Sequence, residues 1–118
     1  MDPKAEVTRL QNNDIIVYAN EDKVIEPNSS DFVRTGIRLH IPESCHVEFL
    51  SISSNYINSN VYIHPAKMKM YPNDQGELLV LLQNDGHEPF VITKKTSIAV
   101  LKIFKNFPIE LKINEVSL

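Results

Sequence analysis

The side chains whose chemistry invites a site are few: four histidines, one cysteine and a short run of serines. His40, His46, His64 and His87 fall on separate expected elements, and none has a second ligand at metal-binding spacing, so no metal site is expected. Ser51, Ser53 and Ser54 follow Phe49-Leu50 without the GxSxG turn that exposes a nucleophilic serine, which leaves them as turn and edge hydroxyls. Gly36, Gly76 and Gly86 are the only glycines and no two are close, so a glycine-rich phosphate loop is excluded. Lys67 and Lys69 alternate with Met68 and Met70; this makes a cationic strand edge or, more simply, solvated lysines over inward methionines. Cys45 stands at a strand start with no charged activator beside it and reads as an inert thiol.

The elements that must position these groups are strands. Helical spacing is scarce, whereas short β-branched and aromatic runs recur between turn residues, so the chain reads as all-β. Strands are expected over 14–19, 32–41, 45–52, 60–63, 67–71, 77–83, 89–93, 97–104 and 109–113. Turns are expected at Glu26-Pro27-Asn28-Ser29-Ser30, Pro42-Glu43-Ser44, Pro72-Asn73-Asp74-Gln75-Gly76 and Asn84-Asp85-Gly86-His87. Strict alternation in Ile37-Arg38-Leu39-His40-Ile41 and Ile109-Glu110-Leu111-Lys112-Ile113 marks strands with one wet face. The unbroken Leu78-Leu79-Val80-Leu81-Leu82 run reads instead as covered on both faces, by a closed barrel or by a neighbouring subunit.

Composition bounds the function. A chain of 118 residues with 42% apolar and 23% charged side chains is sized for one domain with a real core, here taken as 1–118 with a flexible N-terminus over 1–12 and a tail over 114–118. Twelve basic residues against fifteen acidic ones leave a net charge of -3, so nucleic acid is not an expected partner. A lone cysteine forms no intrachain disulfide, and no apolar stretch approaches a membrane span or a signal-peptide core. A cytoplasmic location is expected, with the nucleus as an extension of it.

In order, Thr35-Gly36-Ile37-Arg38-Leu39-His40-Ile41-Pro42, Val47-Glu48-Phe49-Leu50-Ser51-Ile52-Ser53, Gly76-Glu77-Leu78-Leu79-Val80-Leu81-Leu82-Gln83-Asn84 and Ile98-Ala99-Val100-Leu101 resemble the conserved strands of the trimeric dUTPase family. The resemblance runs from about residue 13 to the C-terminus and implies a distorted β-barrel of jelly-roll type that assembles as a homotrimer. It also implies where the family's chemistry would sit. The magnesium-binding Asp of the first motif falls near Ile16-Val17-Tyr18, with Asp14 too early. The phosphate-binding Arg-Ser-Gly falls on Ile52-Ser53-Ser54, the water-activating Asp on Tyr71, the deoxyribose-packing Tyr on Asp74, and the Gln of the fourth motif on Val100. The family's glycine-rich fifth motif has no counterpart up to Leu118.

The expectation drawn from these departures is a dUTPase-like pseudoenzyme: a viral or virus-derived protein that is not an enzyme, needs no cofactor, and modulates host signalling through protein-protein interaction. It resembles in this the dUTPase-derived adenoviral early-region-4 protein. The alternative is a divergent dUTP pyrophosphatase, with magnesium, or a nucleotide-binding sensor. The degenerate pocket would comprise Ile52, Ser53, Ser54, Tyr71, Asp74 and Val100. A partner-binding tail, Val116, Ser117 and Leu118, would add as a strand to a PDZ-type host domain.

Overall fold

The computed structural model describes residues 5, 7–51 and 60–107. Their architecture is all-β, as the alternation requires. Ten strands run in chain order: β1 Val7–Arg9, β2 Ile15–Tyr18, β3 Lys23–Ile25, β4 Ser29–Arg38, β5 Cys45–Leu50, β6 Val61–Ile63, β7 Lys69–Met70, β8 Glu77–Asn84, β9 Phe90–Ile92 and β10 Ser97–Lys105. They form a five-stranded sheet in the order β1-β2-β10-β5-β7, a three-stranded sheet β4-β8-β6 and a two-stranded pair β3-β9. Every pairing is antiparallel. Among the described residues the sheets do not close into a single barrel. Their inner sides share one core, in which Val17, Ile25, Val33, Leu82, Ile92 and Ile98 are completely buried. Among the described residues, no helix is long and apolar enough to cross a membrane.

The Thr35-Gly36-Ile37 segment has a local cause. Gly36 adopts φ +72, open to glycine without a Cβ penalty, and the β4–β8 register shifts between Arg34 and Arg38. Such a bulge strands backbone groups, and the buried Thr35 hydroxyl recovers two of them. Its Oγ1 donates to the Leu78 carbonyl at 2.6 Å and accepts the Ile37 N–H at 3.3 Å.

Several expectations change. Residues Val7–Arg9, inside the stretch expected to be flexible, pair with β2. Val24 and its neighbours form β3, which was not expected; three residues beside Pro27 give too short a pattern to read. Within one chain the Leu78–Leu82 run is covered on one face only: Leu78, Val80 and Leu82 point inward, whereas Leu79 is 39% exposed and any cover for it must come from a neighbouring subunit. Asn84-Asp85-Gly86 does not close a hairpin, because β8 and β9 lie in different sheets. Instead the buried Asn84 amide stitches the corner, donating to the Ile25 and Glu88 carbonyls and accepting the Gly86 N–H, each at 2.9 Å. The expected 67–71 strand shrinks to Lys69–Met70 after a 3-10 turn at Pro65–Lys67, which His64 Nδ1 caps by accepting the Ala66 N–H at 3.1 Å. Met68 and Met70 do pack on the core while Lys67 and Lys69 are exposed.

Candidate functional site

The turn from β7 to β8 carries the most chemistry per residue. Pro72 presets φ for the second turn position, and the Asp74 N–H returns to the Tyr71 carbonyl at 2.9 Å. The Asp74 carboxylate closes the loop from the other side, its Oδ2 accepting the Tyr71 N–H at 2.7 Å. Gly76 then takes φ +96 to enter β8; a Cβ would meet nothing there, so the backbone angle alone asks for glycine.

Asp74 and Gln75 form a shared wall between two open cavities. One, of about 250 Å³, has Phe32, Phe49, Met70 and Leu79 as its apolar lining and Lys67 and Lys69 at its rim. The other, of about 340 Å³, is lined by Arg38, Leu39, His40, Ile41, Pro72 and Gly76. Exposed cations therefore stand on both sides of one carboxylate. Glu77, the second acid on these walls, is engaged: the Arg34 guanidinium forks onto it, Nε to Oε2 at 3.0 Å and Nη2 to Oε1 at 2.9 Å. The arrangement suits an anion with several oxygens and an apolar or aromatic portion.

Other expected site residues lie elsewhere. Tyr71, on the far side of its own turn, lines neither cavity; its ring stacks on His46 at 5.8 Å and 25°. Val100 sits on β10 between Ile16 of β2 and Leu50 of β5, so the positions read as the fourth and first motifs meet in one apolar row that lines neither cavity. Asp14, the nearest acid to that row, is committed to Lys102 Nζ at 3.1 Å and to the Asn12 amide at 3.0 Å. Ile52, Ser53 and Ser54 lie outside the described residues, as do Val116, Ser117 and Leu118.

The sequence reading missed His46. Its ring is sandwiched by Tyr71 and by Phe104, the latter at 5.1 Å and 12°, while Nε2 meets Glu48 Oε2 and Nδ1 meets Asn106 Oδ1, both at 2.9 Å. Both ring nitrogens are occupied, so His46 offers no lone pair to a metal. Strand register was the available signal: His46 lies opposite Phe104 in the β5–β10 pair, and Tyr71 extends β7 by one residue beyond the Val47–Met70 pairing. The remaining histidines are dispersed, His87 lining a separate cavity with Asn60 and Glu88. Among the described residues, no three His, Cys, Asp or Glu side chains converge to hold a metal ion. Cys45 is half-buried beside a small apolar cavity of about 80 Å³.

No family model matches the chain. Curated relatives do. A deoxyuridine 5'-triphosphate nucleotidohydrolase of Antonospora locustae is 30% identical over 91 residues, covering 77% of this chain and 62% of its own length. One from Leptospira interrogans is 29% identical over 110 residues, 89% of this chain and 76% of the relative. The chain thus spans about six-tenths of the length of the relatives it matches first. Solved structures share the fold: the dUTPase of Staphylococcus bacteriophage 80alpha, with a TM-score of 0.82 at 19% identity over 99% of this chain and 94% of that one, and the EIAV dUTPase, with 0.79 at 14% over 98% and 93%. These names correct the expectation that the chain is not an enzyme, since the relatives and neighbours are named for a nucleotide hydrolysis. In sequence and in fold alike, the chain is similar to the dUTPases.

Proposed function

We propose that this protein is a divergent dUTPase, hydrolysing deoxyuridine triphosphate in the cavities beside the β7–β8 turn. The observation that carries the reading is the pairing of those cavities across Asp74. A triphosphate is a chain of anionic oxygens too long for one cation, and Lys67 and Lys69 line one of the two cavities and Arg38 the other. Arg38 brings a planar fork that takes two phosphate oxygens at once, whereas the lysines act as point charges on flexible stems. The apolar lining by Phe32, Phe49 and Leu79 suits a nucleobase and keeps water from its faces. The named relatives supply the identity of that base.

Magnesium does not fit this wall as a protein-held ion, because among the described residues Asp74 has no second uncommitted acid beside it. Triphosphates carry magnesium on their own oxygens, with water completing the octahedron. The protein's share is to bind the anion, orient it and exclude solvent from the base.

Calorimetric titration with a non-hydrolysable dUTP analogue tests the reading. Saturable binding is expected, and Lys67→Ala with Lys69→Ala should weaken it about tenfold or more, the loss of two charge-assisted contacts. No heat of binding at millimolar analogue contradicts it.

A further inference from the structure

Between Lys69 and Gly76 every residue except Tyr71 and Asn73 lines one or both of the paired cavities. The placement of this segment therefore sets the shape of the site. Its internal bonds, which join Tyr71 and Asp74 in both directions, fix the form of the turn but not where the turn lies on the sheet. The strand that leads into it is short. β7 pairs with β5 in two register positions, Val47 with Met70 and Glu48 with Lys69, and the Phe49 N–H adds one bond to the Met68 carbonyl at 2.8 Å. The next position along this ladder sets Tyr71 against His46, and there the two rings stack at 5.8 Å and carry the pairing into the turn.

His46 suits that task because its own place is fixed from three other sides. Phe104 of β10 stacks on it at 5.1 Å, Glu48 Oε2 meets Nε2 at 2.9 Å, and Asn106 Oδ1 meets Nδ1 at 2.9 Å. Asn106 is in turn tied to the entry of β5, its backbone N–H donating to the Ser44 carbonyl at 2.6 Å. A ring stacked on two sides and engaged at both nitrogens has its rotamer locked by the sheet around it. The imidazole lines neither cavity. We propose that His46 is a positioning residue of the candidate site, setting through the Tyr71 ring where the turn presents Lys69, Asp74 and Gln75 to a bound nucleotide. The inference rests on the dUTPase reading above, and His46 acts in it without touching substrate.

Titration of the full chain with the non-hydrolysable dUTP analogue, together with steady-state kinetics, tests this. We expect His46→Ala and Tyr71→Ala each to weaken analogue binding about fivefold, as the loss of an aromatic pair would, and to raise KM alike with kcat within about twofold. The double variant should bind no worse than either single one, because both remove the same contact. His46→Phe, which keeps the stack, should bind within about twofold of the parent. Tyr62→Phe loses a hydrogen bond remote from both cavities; it controls for stability alone and should keep the parent affinity. Hydrogen exchange reads the turn without nucleotide: the Asp74 amide should exchange about fivefold faster in His46→Ala and Tyr71→Ala and at the parent rate in Tyr62→Phe. Tyr71→Ala changes a side chain 49% exposed, so it carries the test should His46→Ala fail to fold. Parental affinity or parental Asp74 exchange in Tyr71→Ala, or additive losses in the double variant, overturns the inference and leaves the dUTPase reading standing. A parent chain that neither binds the analogue nor turns over dUTP overturns the reading, and the inference falls with it.

Discussion

The imidazole of His46 lies between two aromatic rings drawn from different strands, with Tyr71 of the β7–β8 turn at 5.8 Å and Phe104 of β10 at 5.1 Å. The stack fastens the turn that carries Asp74 to the five-stranded sheet. In His46→Ala both ring contacts and the links to Glu48 and Asn106 disappear, and we expect a loss of about 4 kcal/mol in urea unfolding, since aromatic pairs and net hydrogen bonds each contribute about 1 kcal/mol. His46→Phe, which keeps the stack, should lose about half of that. Equal losses in the two variants would show that the stacking contributes nothing.

The Thr35 hydroxyl is the keystone of the β4 bulge. Replacing it in Thr35→Val leaves the Leu78 carbonyl and the Ile37 N–H without their partner in a fully buried place, at a cost of about 1–3 kcal/mol. Chemical denaturation reads this directly. A midpoint unchanged from the parent would mean that water or backbone movement supplies the missing bonds.

Tyr62 gives a pH signature far from the site. Its hydroxyl donates to Asp85 Oδ2 at 2.6 Å; that bond chiefly, then desolvation and the carboxylate's charge, holds the phenol above the usual tyrosine value of 10.0. A raised folded-state value means that the stabilisation is complete below the unfolded value and is lost as pH rises through the folded one. The parent should therefore exceed Tyr62→Phe in stability at neutral pH, and the gap should close in strong alkali. Ultraviolet titration of Tyr62 against the Asp85→Asn variant checks the direction, with a lower midpoint expected in the variant.

Outside the candidate site the surface holds apolar side chains that a lone chain leaves partly in water, Val24, Leu50, Val91 and Ile103 among them, each between 37% and 65% exposed. We propose that they are covered in a homotrimer. Light scattering at micromolar concentration should return three times the chain mass, and Ile103→Lys should dissociate the assembly without unfolding it. A single-chain mass for the parent refutes the trimer.

Ile37-Arg38-Leu39-His40-Ile41 shows why the fold was readable: alternate side chains are buried and wet just as period two demands, even though β4 itself ends at Arg38. Leu79 shows where such reading stops, because an unbroken leucine run carries no sign of which member a neighbour covers. The candidate site was readable in part. Motif order placed Tyr71 and Asp74 in one turn, whereas their opposite orientations depend on a hydrogen bond to a backbone N–H and on a histidine from another strand. His46 itself was illegible as a cluster centre, since Phe104 and Tyr71 reach it through sheet register and not through spacing along the chain.

Steady-state release of pyrophosphate from dUTP, measured on chain purified free of host dUTPase and compared with dCTP and dTTP under the same magnesium concentration, tests the central claim most directly. The account predicts turnover of dUTP well above the buffer rate, with a marked preference over the other two nucleotides. Release at the buffer rate from a folded chain, or equal release from all three, would contradict it.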